Sequence, residues 1–246
     1  MTTLTVLGSC GAWPEPGRAC SGYLLTHRGF RIVLDLGYAT APRLFETVPD
    51  GAVDAVIVTH EHPDHCVDVS ALGRVREHLH GGRPRLPLYG TPGVLRVLRA
   101  LEPRPDPETV FEFHDLARGG RIGPLELIAF PLPHHVPNHG VRLTAPGLTV
   151  AYTGDTGPSA ALAALSRDAD LVIAEATLSG GKPTTGPRYL MTAGEAGAFA
   201  AEAGARRLLL THFWPGADRA ASVARARERF GGEVLAATEG MVVELP

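Results

Sequence analysis

The chain has 246 residues, 44% of them apolar, enough for one large domain with a real core. Its 26 acidic and 23 basic residues leave a net charge of −3 with histidine neutral, and no basic run exceeds a few residues, which argues against a long nucleic-acid grip. Cys10, Cys20 and Cys66 have unrelated spacings and do not read as a disulfide framework, and no stretch approaches the roughly 18 apolar residues of a membrane span. The N-terminal "MTTLTVLGSCGAW" lacks the basic and apolar regions of a signal peptide, so a reducing, cytoplasmic location is expected.

In chain order, "LTVLG" (4–8), "GYLLTH" (22–27) and "FRIVLDLG" (30–37) read as glycine-bounded strands. "APRLFETV" (41–48) reads as a short helix and "VDAVIVTH" (53–60) as a buried strand. "DVSALGRVREHLH" (68–80) has helical spacing. "LPLYG" (86–90) is a strand and "TPGVLRVLRAL" (91–101) a helix with proline in its first turn, followed by a proline-rich loop, "EPRPDPET" (102–109). "LELIAF" (125–130), "HGVRLTA" (139–145) and "LTVAYTGD" (148–155) are strands. Helix "SAALAALSRD" (159–168), strand "ADLVIAEA" (169–176) and the alanine-rich helix "TAGEAGAFAAEAG" (192–204) follow. Strand "ARRLLLTH" (205–212), helix "ADRAASVARARERF" (217–230) and strands "EVLAATEG" (233–240) and "MVVEL" (241–245) close the chain. Strands that first meander and then alternate with helices, in both halves, predict one α/β domain over residues 1–246. It is a four-layer αβ/βα sandwich of two mixed sheets with outer helices.

Three apolar strands end in threonine before a ligand-type residue: Thr59-His60, Thr153-Gly154-Asp155 and Thr211-His212. Functional groups collect at the carboxyl ends of α/β strands, so these three point toward one pocket. "THEHPDH" (59–65) sets His60 and His62 two apart, hence on one side of an extended segment. Pro63 suits a first helical turn that brings Asp64 and His65 back toward them. Two metals can share these four groups, His60 and His62 on one, Asp64 and His65 on the other. Each then needs one or two further ligands. The candidates are His134, Asp155 and His212, with Asp155 bridging and each histidine completing one metal.

This set resembles the metallo-β-lactamase superfamily. The motif H-x-H-x-D-H is His60, His62, Asp64 and His65, and the later ligands match His134, Asp155 and His212 in order. "VLGSCGAWP", "LDLG" with Asp35 and "LLLTH" extend the resemblance over nearly the whole chain. "HHVPNHGVRL" is similar to the H-x-V-P-x-x-G-x-R stretch of the tRNase Z-like and phosphodiesterase branch, which makes His134, not His135 or His139, the ligand. "AEATLSG" resembles the H-E-A-T motif of tRNase Z with Ala174 in the histidine's place. The histidine that this branch uses to protonate the leaving oxygen falls on Leu190 here. The stretch "SGGKPTTGPRY" is too short for a tRNA-holding arm, so tRNA is not an expected substrate. A small-molecule substrate and no membrane partner are expected, and a homodimer stays open.

Nitrogen and oxygen donors suit two divalent ions, zinc first, with Mn2+ or Fe2+ compatible. Such ions make hydroxide available at neutral pH and polarise the attacked oxygen. Asp64 can hold a metal and also orient the water or take its proton, which makes it the catalytic candidate. Overall similarity to small cyclic-nucleotide phosphodiesterases of the superfamily puts phosphodiester hydrolysis first. A thiolate leaves without a proton donor, so Leu190 is compatible with thioester, activated-ester or lactone hydrolysis as the alternative. A non-catalytic metal-binding protein is the third reading, weakened because every ligand position is filled. Asp35 is expected to support the ligand loop by hydrogen bonds. His139 would line the pocket or be structural, and Glu175 and Thr177 would order its wall. Asp68 reads as a supporting or a helix-surface carboxylate, Cys66 as a small buried residue, and His27, His78, His80 and His114 as surface.

Overall fold

The computed structural model describes residues 1–178 and 186–246. Of His139, Tyr189 and Lys182, the residues that could stand in for the missing proton donor, Lys182 lies outside the described residues, as does most of the short "SGGKPTTGPRY" stretch. The chain forms two compact units, one of Met1–Ala117 with Thr238–Glu244 and one of Arg118–Ala237 with the last two residues.

The first unit holds strands β1 (Thr2–Gly8), β2 (Gly22–His27), β3 (Phe30–Leu36), β4 (Ala55–Ile57), β5 (Leu86–Gly90) and β6 (Phe111–Asp115), with the chain's last strand, β14 (Val242–Leu245). Their order is β14-β1-β2-β3-β4-β5-β6. β1, β2 and β3 are antiparallel, whereas β3 to β6 run parallel. The helices are α1 (Thr40–Thr47), α2 (Pro63–Cys66), α3 (Val69–His80) and α4 (Pro92–Leu101). Leu44, Leu72, Val94 and Leu98 pack on Val33, Val56, Leu88 and Phe111 in one apolar cluster. Each such buried side chain contributes about 1.5–3 kcal/mol.

The second unit contains β7 (Gly120–Ile122), β8 (Leu125–Leu132), β9 (Asn138–Ala145), β10 (Leu148–Tyr152), β11 (Leu171–Glu175), β12 (Arg207–Thr211) and β13 (Glu233–Ala236). Their order is β13-β12-β11-β10-β9-β8-β7, with β7 to β10 antiparallel and β10 to β13 parallel. Helices α5 (Ala161–Ser166), α6 (Ala193–Glu202) and α7 (Arg219–Arg227) flank the sheet. A capping box starts α6, with Thr192 and Glu195 each accepting from the other's backbone N–H. Gly197 lets α7 come close, since a Cβ there would stand 2.5 Å from the Ala226 carbonyl oxygen. Both units are therefore mixed sheets flanked by helices, as the element order predicts.

Several local expectations change. The strand expected over 53–60 is only three residues long, and the chain then leaves the sheet to make the ligand loop. β6 and β7 were not legible as strands. They are the outer strands of their sheets, and outer strands carry polar residues that blur the alternation. His27, expected at the surface, is buried at the end of β2, where its Nδ1 meets the Thr2 hydroxyl at 2.9 Å. Among the described residues no helix is long and apolar enough to cross a membrane.

Candidate metal centre

In the first unit the ligand loop is built on a strand defect. β2 pairs Gly22 with Leu36 and Tyr23 with Leu34, so Asp35 is the extra residue of a bulge. Its φ of 53° is left-handed, an uncommon conformation away from glycine. The bulge re-aims its carboxylate. Oδ1 accepts the Thr59 N–H at 2.7 Å, and Oδ2 accepts the Thr59 hydroxyl at 2.9 Å and His65 Nδ1 at 2.7 Å. Asp35, Thr59, His60 and His65 are all buried.

His60 follows the end of β4, and His62 is the extended N-cap of α2, with Pro63 at the first helical position. Asp64 and His65 therefore fall on the first turn. Gly37 allows this turn to sit against β3, because a Cβ there would stand 1.9 Å from the Asp64 carbonyl oxygen. The Ala12 N–H donates to Asp64 Oδ2 at 2.7 Å. Glu61, between the first two histidines, turns away from them. It lies over the start of α4, where Gly93 has no Cβ to block it, and pairs with Arg96 at 3.2 Å.

Asp68 is half-buried at the start of α3. Its carboxylate accepts the Ala41 N–H at 2.9 Å at the start of α1. Cys66 is buried and its thiol donates to the Glu61 carbonyl. Burial, aided by Asp35 and Asp64, pushes this thiol up to about 12, so it is no nucleophile.

In the second unit the parallel strands open their carboxyl ends on one side of the sheet. Asp155 follows β10, Thr177 follows β11, and His212 follows β12 with a left-handed φ of 55°. β8 runs in the same direction as β10, so His134, just beyond it, emerges at the same end. His134 Nδ1 donates to the Tyr189 carbonyl at 3.2 Å, which leaves Nε2 for a ligand. The segment carrying Tyr189 and Leu190 is anchored by Arg188, whose guanidinium grips Glu195 through two 2.7 Å bonds. Asn138 Nδ2 donates to the Asp155 carbonyl at 2.6 Å. Glu175 Oε1 accepts the Thr156 N–H at 2.8 Å, and Oε2 accepts the Thr177 hydroxyl at 2.6 Å. Burial first, then the nearby Asp155 carboxylate, raises the Glu175 carboxyl above its ordinary range.

The donor sets fit divalent ions. Ligand atoms about 2.0–2.1 Å from a tetrahedral zinc stand roughly 3.3 Å apart. His60 Nε2 and His62 Nδ1 are 3.0 Å apart, and His65 Nε2 and Asp64 Oδ2 are 3.6 Å apart. Asp155 Oδ1 is 3.1 Å from His212 Nε2, while its other oxygen, Oδ2, is 3.8 Å from His134 Nε2. One carboxylate thus turns a different oxygen to each of two histidines.

His135 is exposed and its ring lies against Tyr189, with centroids 4.3 Å apart. His139 is half-buried on β9, opposite Pro131. His134→Ala is expected to lose metal and activity and His135→Ala to keep both, as metal content and turnover of the two variants will show. The sequence reading missed the Ala12 N–H, the Tyr189 carbonyl and the amide of Asn138. Two of these are backbone groups that carry no side-chain signature, and Asn138 had only its place within "HHVPNHG" as a signal.

Comparison with known proteins agrees with this architecture. A sequence model of the beta-lactamase superfamily domain matches residues 31–213. The probable metallo-hydrolase YhfI of Bacillus subtilis is 32% identical over 244 residues, covering 98% of this chain and 99% of its own length. The crystal structure of YhfI, a metallo-beta-lactamase fold protein, superimposes with a TM-score of 0.88 at 30% identity over 98% of both chains. Ribonuclease Z of Thermobifida fusca is 28% identical, covering 99% of this chain and 94% of its own. The crystal structure of the short form of human tRNase Z gives a TM-score of 0.80 at 25% identity over 99% of each chain.

Proposed function

Because the chain belongs to the beta-lactamase superfamily and has its metallo-β-lactamase fold, we propose that it is a metal-dependent hydrolase with two divalent ions and a phosphodiester substrate. The observation that carries the two-ion reading is Asp155, whose two oxygens face two different histidines. In this reading His60 and His62 would hold one ion and Asp64 and His65 the other, and His134 and His212 would complete one each. Zinc suits these donors first, and Mn2+ or Fe2+ also match them. Bound ions of this kind supply an activated water and polarise the attacked oxygen.

The chain's own groups do the rest. Asp64, held at Oδ2 by the Ala12 N–H, orients the attacking water and takes its proton. Asp35 and Glu175 keep ligand rings and loops in place from behind. No serine or cysteine nucleophile is needed. Relatives named ribonuclease Z favour a phosphodiester, of small size here, since Leu190 replaces the expected donor and Ala174 the histidine of the H-E-A-T motif. A thioester or activated ester is the second reading. It is favoured by Leu190, an apolar side chain between Tyr189, which holds His134, and the buried Met191.

Elemental analysis after mild metal loading, run beside a hydrolysis screen of a phosphodiester and a thioester, tests both points. Close to two ions per chain and turnover of the phosphodiester are expected. Occupancy that never exceeds one rules out the two-ion centre, and turnover of the thioester alone reverses the substrate order. A 3′-extended pre-tRNA in the same screen is expected to be cleaved poorly and without site selectivity. Efficient, selective cleavage of it would restore tRNA as the substrate.

A further inference from the structure

Each unit repeats one small device that the ligand list does not contain. In the first unit the Thr59 hydroxyl lies 2.9 Å from Asp35 Oδ2 and 3.0 Å from His60 Nδ1. In the second, the Thr177 hydroxyl lies 2.6 Å from Glu175 Oε2 and 2.8 Å from His212 Nδ1. All six groups are buried. The chain routes differ. Thr59 is the direct neighbour of His60, whereas Thr177 is 35 residues before its histidine.

A hydroxyl has one hydrogen to give, and a carboxylate has none. If Thr59 gave its hydrogen to the histidine, two buried oxygens would face each other at 2.9 Å with no hydrogen between them. The hydroxyl therefore donates to Asp35, and the contact with His60 needs the imidazole hydrogen on Nδ1. At Thr177 the same direction holds with Glu175 ionised, and there the hydroxyl also lies 3.1 Å from the His212 carbonyl oxygen, another acceptor.

We infer that Thr59 and Thr177 are a matched pair of positioning residues, each fixing a histidine in the tautomer that offers Nε2 to a cation. This rests on the metal-dependent reading above. Asp35 then sets two rings at once, His65 directly and His60 through Thr59. Thr59 gives the cleaner test, because a proton on the deeply buried Glu175 would alter the second chain of bonds.

Thr59→Val removes the hydroxyl and keeps the shape, and Thr59→Ser keeps the hydroxyl. Loss of such an outer partner typically weakens metal binding about 10–100-fold. Zinc affinity by chelator competition is expected to fall by that factor at one site in Thr59→Val and to stay near wild type in Thr59→Ser. Long-range 15N–1H NMR on metal-free protein is expected to show His60 in the Nδ1–H form in wild type and Thr59→Ser, and as a mixture in Thr59→Val. Unchanged zinc affinity in a folded Thr59→Val, or an Nε2–H form of His60 in metal-free wild type, overturns the inference. The wild-type spectrum decides the matter even if the valine variant does not fold. A wild-type chain that takes up no divalent ion overturns the hydrolase reading instead, and the spectrum still judges the tautomer.

Discussion

Asp155→Ala is expected to reduce turnover by about 10³-fold or more and to leave less than one ion per chain. Removing a single preorganised donor from an active site typically costs about 10²–10³ in rate. Asp155 should exceed that, because its Oδ1 faces His212 at 3.1 Å and its Oδ2 faces His134 at 3.8 Å. Its loss removes a ligand from both proposed ions at once. Asp155→Asn retains one oxygen and the shape, so it should hold about one ion and fall between wild type and alanine. The metal-free alanine variant should stay folded, since the change also removes a negative group that disfavours ionised Glu175. Elemental analysis, circular dichroism and turnover on the same samples separate these effects. Two retained ions with a rate within tenfold of wild type would show that Asp155 bridges nothing.

The second large effect concerns Leu190. Where an alkoxide leaves and the site lacks its donor, Leu190→His should raise turnover of an unactivated phosphodiester. A positioned general acid is worth about 10²- to 10⁴-fold. The gain should be real but well below that range, because the new ring has no partner to orient it. Its location favours some gain. Leu190 is half-buried on the segment whose Tyr189 carbonyl holds His134 and which Arg188 ties to α6. A p-nitrophenyl ester, whose leaving group needs little protonation, should respond far less. A thioesterase would instead be indifferent or impaired, since a polar ring would replace a half-buried apolar side chain. Equal effects on both leaving groups, at matched metal content, would show that position 190 does not face the leaving oxygen.

The candidate ligands were legible because histidines and acids in H-x-H-x-D-H are rare next to an apolar strand and have few other uses. Their later partners were legible because each follows a strand end, and the parallel strands of the second unit do bring Asp155, Thr177 and His212 out at one side. What stayed hidden depends on backbone rather than side-chain pattern. "FRIVLDLG" reads as a regular strand, yet its pairing slips by one residue at Asp35. Asp68 carries the same chemistry as Asp35 but points to the start of α1. Thr59 marked a strand end in the sequence, and only its three-dimensional neighbours give its hydroxyl a task. Glu61 stands between His60 and His62 in the sequence, and only the missing Cβ of Gly93 shows where its side chain goes.

In the metal-dependent reading, the left-handed backbones at Asp35 and His212 set thermal hardness against catalysis. Such a conformation costs an L-residue roughly 1–2 kcal/mol, a sizeable share of a typical net stability of about 5–15 kcal/mol. At position 35 the buried donors held by the carboxylate oppose any exchange. At position 212 the opposition is weaker, because the Thr177 hydroxyl retains Glu175 as an acceptor. A library selected for heat resistance alone should therefore drift there first, toward asparagine or glycine, and its hardiest members should be catalytically silent.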